Sequence, residues 1–346
     1  MMKRKSWTIL IFLSIISLFA FFLDSCRGAK NPANETRLWP PIEPFQSGYL
    51  KVSDIHKIYY ELSGNQDGKP VFFLHGGPGG SSSPYMRRFC DPSRFLMVLS
   101  DQRGAGKSKP YGEIKENTTQ NLVEDIERLR KHLKLDKIIL FGGSWGTTLG
   151  IAYAEAYPEN VSGMVLRGVF MATKEEIKHF YHGGVGRYFP EVYDALLSTL
   201  PEPSRRPLPD YLFRLIKEGN QAEKAKYSRA WVEYEGKISG LEVPDEVIKN
   251  WIENYNPYAF GLFENFYMAN GCFLEEGQLF KDVAKISHIP TIIINGRYDV
   301  ICPPVTAYRL HKLLPKSKLI MAEGAGHWMG EKPIENSLLE AMKEFE

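Results

Sequence analysis

The chain has 346 residues, 43% of them hydrophobic and 24% charged, with a formal net charge of +2. That length suits one large core carrying an insertion, or two domains, and the composition leaves little room for extended disorder. A near-neutral body offers no basic stripe for nucleic acid, so no nucleic-acid partner is expected.

The chain opens with basic Met1-Met2-Lys3-Arg4-Lys5, an uncharged apolar run from Trp7 to Leu23, and then Asp24-Ser25-Cys26. Residues 1–26 therefore read as an export segment, slightly short of the about 20 residues that span a bilayer comfortably. Leu23-Asp24-Ser25-Cys26 resembles a bacterial lipobox with Cys26 as the lipidated residue, although Asp24 departs from the small or apolar residue usual there. Three fates stay open: a lipoprotein, an uncleaved anchor and ordinary secretion. The expectation is an exported protein, held at a membrane through its N-terminus, with the rest of the chain outside the cytoplasm. Residues 27–46 are polar and rich in proline, which reads as a linker without core. With Cys26 set aside, Cys90, Cys272 and Cys302 form an odd set, so no disulfide framework is implied.

Beyond the linker, apolar runs predict strands at 47–53, 56–63, 70–75 and 95–100, a helix over 118–133, a strand over 137–141, a helix over 146–157 and a strand over 163–169. This alternation argues for a mostly parallel sheet with helices on both faces. The rhythm stops from about 172 to 285, where the sequence is helical and aromatic. It resumes with a β-branched run at Thr291–Asn295, typical of a buried central strand, and again over 319–323. Residues 47–170 and 288–346 are thus expected to form one core, with 171–287 as a helical cap over the sheet's carboxyl edge, where open α/β sheets hold ligands.

Between the strand over 137–141 and the helix after it lies Gly142-Gly143-Ser144-Trp145-Gly146, a Gly-x-Ser-x-Gly elbow. The glycines permit a sharp turn that exposes the serine hydroxyl at a helix N-terminus, where the helix dipole favours developing negative charge. A serine needs a base, and the base needs an acid group to fix its tautomer. Asp299 follows the Thr291–Asn295 strand and His327 follows the last strand, giving the chain order Ser, Asp, His of α/β-hydrolases. Oxyanion donors are expected from the backbone N–H of Trp145 and from the loop His75-Gly76-Gly77-Pro78-Gly79-Gly80, at Gly76 or Gly77, with Gly77 preferred. His75 itself reads as structural. Gly106-Lys107-Ser108 ends like a Walker loop, but the required first glycine falls at Asp101, so no phosphate cradle is present.

These motifs, with Asp101 to Ser108, Gly296-Arg297-Tyr298-Asp299 and Gly324-Ala325-Gly326-His327, resemble those of the proline iminopeptidase (prolyl aminopeptidase) family of α/β-hydrolase-fold serine peptidases. The resemblance spans most of residues 45–330. It implies a serine exopeptidase that releases proline from short peptides beginning with that residue, through an acyl-enzyme and without metal or organic cofactor. It places Arg103 in a structural ion pair. It also implies that Glu235, in Ala230-Trp231-Val232-Glu233-Tyr234-Glu235, and Glu264, in Glu264-Asn265-Phe266-Tyr267, bind the substrate amine, with Tyr234 and Phe266 as departures from the family pattern. Without the resemblance, both would read as ordinary exposed helical glutamates. Two carboxylates under one cap repel, so one is expected to keep a proton until a cationic amine arrives. Cys272, Phe273 and Trp145 are expected to wall a pocket for the pyrrolidine ring. Two other readings stay open: an esterase or amidase acting on non-peptide substrates, and an inactive membrane-tethered binding module.

Overall fold

The computed structural model describes residues 37–346 apart from 203, 255 and 256. The export segment and Cys26 lie outside the described residues. Among those described, no helix is long and apolar enough to cross a membrane.

Eight strands form one sheet: β1 (Gln46–Lys51), β2 (Lys57–Gly64), β3 (Lys69–Leu74), β4 (Phe95–Ser100), β5 (Ile138–Gly143), β6 (Val161–Arg167), β7 (Thr291–Gly296) and β8 (Ser317–Ala322). Their spatial order is β1-β2-β4-β3-β5-β6-β7-β8. β1 and β2 pair antiparallel, as do β2 and β4, and every other neighbour pair is parallel. Each predicted strand is present, displaced at its ends by a residue or two.

Both faces of the central strands are buried. Phe72, Leu74, Val98 and Leu140 join one apolar cluster, which includes Leu122 and Ile126 of helix α1 (Thr119–His132) and Leu149 of α2 (Trp145–Ala156). Their chain neighbours Val71, Phe73, Leu99, Ile139 and Phe141 join another, closed by Leu338 and Leu339 of the last helix, Lys332–Lys343. Alternation along a pleated strand sends successive side chains to opposite faces, so apolar runs of this kind belong to central strands covered on both sides.

Between β6 and β7 the described chain is helical, with α3 (Lys174–Tyr181), α4 (Pro190–Ser198), α5 (Leu208–Glu218), α6 (Gln221–Ile238), α7 (Asp245–Asn254), α8 (Pro257–Ala269) and the short α9 (Gln278–Asp282). Helix α10 (Pro304–Leu313) joins β7 to β8, and α11 is the last helix. The start of the cap is fixed locally: Thr173 and Glu176 form a reciprocal capping box at α3.

The end of the Pro-rich segment differs from expectation. Leu38 and Ile42 pack against the second apolar cluster. The Trp39 N–H donates to the Arg88 carbonyl at 2.9 Å, and Arg87 Nη1 donates to the Ile42 carbonyl at 2.8 Å. Two apolar side chains and a few backbone bonds suffice to fasten a stretch whose composition alone suggests free chain.

Helix α2 carries a buried carboxyl near its C-terminal end. Glu155 Oε1 has no hydrogen-bond partner, and burial, then the Asp282 carboxylate, push its pKa up to about 8 while Lys285 pulls the other way. A carboxyl whose folded pKa exceeds its unfolded value contributes stability that is full below the unfolded value and is lost as pH rises through the folded one. The loss runs from about pH 4.5 to about pH 8, at ~1.4 kcal/mol per pH unit, so a few kcal/mol in all. Thermal melts at pH 5 and pH 9 should therefore show Glu155→Gln losing less stability than the parent over that interval. Identical pH dependence in the two proteins would contradict this account of Glu155.

Candidate active site

Loops at the carboxyl ends of β3, β5, β7 and β8, and the last residue of β6, converge on one place. Ser144 follows β5 with φ 57° and ψ −127°, a left-handed conformation that costs a non-glycine residue about 1–3 kcal/mol and persists only where its surroundings enforce it. The elbow's glycines show what enforces it. A Cβ on Gly142 would lie 2.3 Å from the Gly146 carbonyl oxygen, and one on Gly146 would lie 2.1 Å from that of Leu74. The turn is held by the Ser144 N–H donating to the Arg167 carbonyl at 2.9 Å and by the Thr147 N–H donating to the Ser144 carbonyl at 2.8 Å. Trp145 is the first residue of α2, so its N–H has no partner within the helix and is left for a ligand.

Asp299 and His327 are buried and hydrogen-bonded, His327 Nδ1 to Asp299 Oδ2 at 2.7 Å. Asp299 Oδ1 accepts from the N–H groups of Ile301 and Cys302 at 3.0 and 2.8 Å, which fixes the carboxylate and leaves its second oxygen for the ring. Nδ1 then carries the proton and Nε2 is the basic nitrogen. His327 and Ser144 border the same cleft. Arg167 Nη1 lies 3.2 Å from Nε2 and donates to the His327 carbonyl at 2.8 Å. Burial lowers the pKa of Arg167, while the Asp299 and Glu235 carboxylates support its charge.

Glu235 on α6 and Glu264 on α8 come together beside this triad. Glu264 accepts from Trp231 Nε1 at 2.6 Å. Burial, then the charge of Glu235 and a hydrogen bond with it, hold Glu264 well above the usual carboxylate range. Burial also raises Glu235, but the hydrogen bond from Glu264 and the nearby His327 and Arg167 oppose that rise. Burial thus raises both carboxyls, Glu264 the further of the two, and Glu235 Oε2 is buried without a hydrogen-bond partner. The pair is tied to the base. Beyond the end of α6, the Ser239 carbonyl accepts from the N–H groups of His327 and Trp328 at 2.7 and 2.6 Å. Glu331 then bridges cap and core through the N–H groups of Leu241 and Gly326.

Two cavities open onto Ser144 and Gly77. One is a cleft of about 560 Å³ that also contains Glu235, Arg167 and His327. The other is small, about 20 Å³, with Phe170, Ile177, Phe180, Met268, Ile301 and Cys302 as apolar walls and the carboxyls of Glu176 and Glu264 also lining it. Gly77 adopts φ 108° in its loop. Gly76 is closer still to the nucleophile, since a Cβ there would lie 3.4 Å from that of Ser144.

The expected pocket walls are corrected. Cys272 and Phe273 line neither cavity, because both sit at positive φ in the turn Gly271–Phe273 that ends α8. Cys272 Sγ lies 3.7 Å from Met268 Sδ, behind the residue that does reach the small pocket. Phe273 packs on Phe266 and Tyr267. The carbonyls of Cys272 and Phe273 instead accept from Thr119 Oγ1 and Gln120 Nε2, tying the cap to the start of α1. Trp145 is fully buried, its Nε1 donating to Gln102 Oε1 at 2.9 Å and its ring against Tyr267, so its ring is no wall either. Cys302 is the cysteine at the pocket. The three described cysteines are all free thiols.

His75 and Arg103 take the structural places expected of them. His75 Nε2 accepts from the Gln102 N–H at 3.0 Å, so Nδ1 is the protonated nitrogen and donates to the Gly76 carbonyl, and burial lowers the ring's pKa. Arg103 forms a two-pronged bond to Asp125 at 2.5 and 2.7 Å, both side chains buried. Among the described residues, no group of His, Cys, Asp or Glu could hold a metal ion.

Comparison with known proteins follows the same lines. A family model described as the alpha/beta hydrolase fold matches residues 69–332. A probable proline iminopeptidase of Leptolyngbya boryana is 43% identical over 310 residues, covering 89% of this chain and 97% of that protein. A proline iminopeptidase of Arabidopsis thaliana is 43% identical over 315 residues, covering 90% and 83%. Among solved structures, an esterase from Exiguobacterium antarcticum superposes with a TM-score of 0.61 at 21% identity, covering 86% of this chain and 98% of that one, a likeness of fold alone.

Proposed function

The chain belongs to the proline iminopeptidase family within the α/β-hydrolase fold, a prolyl aminopeptidase by that membership, and from that premise we propose that it releases an N-terminal proline from short peptides through an acyl-enzyme on Ser144. The observation that carries the reading is the placing of two carboxyls, Glu235 and Glu264, together beside the triad, where burial raises the pKa of both. A pair sharing one proton carries a single negative charge, which suits the single positive charge of a prolyl amine. Glu235 Oε2, buried and unpartnered, supplies an acceptor. Phe170, Phe180 and Met268 offer apolar contacts to the pyrrolidine ring, which enters their pocket of about 20 Å³ only as those side chains give way.

With the ring there, the prolyl carbonyl meets Ser144. The Ser144 oxygen bonds to that carbon as its proton passes to His327 Nε2, and the N–H groups of Trp145 and Gly77 hold the oxyanion. Nε2 must take the serine hydroxyl for this step, so its contact with Arg167 is given up as substrate settles. When the C–N bond breaks, His327 returns the proton to the leaving amine. Water then splits the prolyl ester by the same route, freeing proline and the serine. Asp299 keeps Nδ1 protonated throughout. No step draws on a cofactor. Export and membrane attachment rest on the sequence of residues 1–26 alone.

The esterase alternative shares the fold and triad but leaves the carboxyl pair without a cation to bind. The test follows from that difference. Cleavage of Pro-Ala-Ala should be rapid, whereas acetyl-Pro-Ala-Ala, with no ammonium to offer, should stay intact by mass spectrometry. Equal cleavage of both peptides would overturn the reading.

A further inference from the structure

The carboxyl pair and the small pocket account for part of the space at Ser144; the cleft of about 560 Å³ that adjoins them is far larger than a proline needs. Resting on the peptidase reading above, we infer that this cleft selects the second residue of the substrate, and that it favours a large apolar or aromatic side chain there over glycine or an acidic residue.

The geometry leaves the second residue nowhere else to go. If the prolyl ring fills the pocket at Phe170 and Met268, and its amine reaches Glu235 and Glu264, the scissile carbonyl lies at Ser144 and the leaving amine points into the cleft that holds His327. The walls there are apolar and come from separate elements. Met86 belongs to the turn Pro84–Phe89, Val232 to α6, Trp251 to α7, Phe260 to α8, and Trp328 and Met329 follow the catalytic histidine. Val232 is three residues from Glu235 and so shares its helix face. The Trp251 and Trp328 rings meet edge to face, centroids 6.2 Å apart at 73°, a rigid aromatic corner of the kind that binds another ring well.

Charge argues in the same direction. Among the described lining residues, only Arg167, Glu235 and His327 carry or can carry charge. Arg167 Nη1 is committed to His327, and Glu235 belongs to the amine site. A carboxylate on the second residue would be desolvated near Glu235 and could turn only to Arg167, which the His327 carbonyl already holds through Nη1. Glycine would leave the aromatic corner uncovered. An apolar side chain seated in such a pocket is worth about tenfold or more in discrimination.

The test compares kcat/KM for Pro-Phe-NH2, Pro-Gly-NH2 and Pro-Asp-NH2, with prolyl-2-naphthylamide as a control. The wild type should prefer phenylalanine over glycine by about tenfold or more and place aspartate last. Trp251→Ala should bring the phenylalanine-to-glycine ratio toward one, and Met86→Ala should lower the same ratio should the tryptophan variant fail to fold. A ratio is insensitive to a loss of folded enzyme, which lowers every rate together. Equal rates on the three peptides, a preference for aspartate, or ratios unmoved in both variants would overturn the inference while cleavage of the naphthylamide left the peptidase reading standing. Failure to cleave any of the four compounds would remove both.

Discussion

Ser144→Ala abolishes release of proline and leaves the fold intact. The backbone bonds that hold the elbow, from the Ser144 N–H to Arg167 and from the Thr147 N–H to the Ser144 carbonyl, do not involve the hydroxyl. Alanine keeps the same Cβ, so the positive φ at this position is no harder to hold than before. What disappears is the atom that forms the acyl bond. Removing one member of a catalytic triad costs on the order of 10⁴-fold or more in rate, because the remaining groups have nothing to activate. Turnover of prolyl-2-naphthylamide should fall by that factor while the melting curve and far-ultraviolet circular dichroism stay at wild-type values. Wild-type turnover in the variant would remove Ser144 from the mechanism.

The features that could be read from the sequence are those encoded in short stretches of chain. The β-branched run Thr291–Asn295 reads as a buried strand and is one. Gly142 and Gly146 must lack side chains because carbonyl oxygens occupy the space a Cβ would need, a requirement that a five-residue motif can carry. Asp299 and His327 were legible because each follows a strand, and the parallel strands of this sheet end at one edge. Arg167 was missed although the same reasoning reaches it: it is the last residue of β6 and so stands at that edge too.

The small pocket was beyond such reading. Phe170, Phe180, Met268 and Cys302 lie far apart in the chain, and only packing of the cap on the core brings them together. Motif similarity pointed to Cys272, whose side chain the positive-φ turn after α8 puts behind Met268. Composition erred in another way at residues 38–45. Leu38 and Ile42 were hidden among prolines and polar residues, yet they are the side chains that fasten the segment. The glutamates are intermediate between these cases. Helical periodicity gives no reason to separate Glu235 from Glu233, and the family pattern did so before the structure showed Glu264 buried and Glu235 half-buried, its Oε2 shut off from solvent.

That pair is where the account is most exposed to contradiction. Glu235→Gln and Glu264→Gln keep side-chain volume but each removes a carboxyl from the amine site. A charge-assisted hydrogen bond to a substrate ammonium is worth about 1.5–3 kcal/mol, or roughly 10- to 150-fold in kcat/KM. A single surviving carboxyl, relieved of its neighbour's repulsion, can still ionise and hold the amine in part, so the double variant should lose more than either single one. A small uncharged ester has no cation to lose and should be hydrolysed nearly as before. The measurement is the ratio of kcat/KM for prolyl-2-naphthylamide to that for such an ester, in the wild type, both single variants and the double variant. The ratio should fall by roughly 10- to 150-fold in each single variant and further in the double; a ratio unchanged in all of them would make Glu235 and Glu264 ordinary cap residues and leave an esterase in place of a prolyl aminopeptidase.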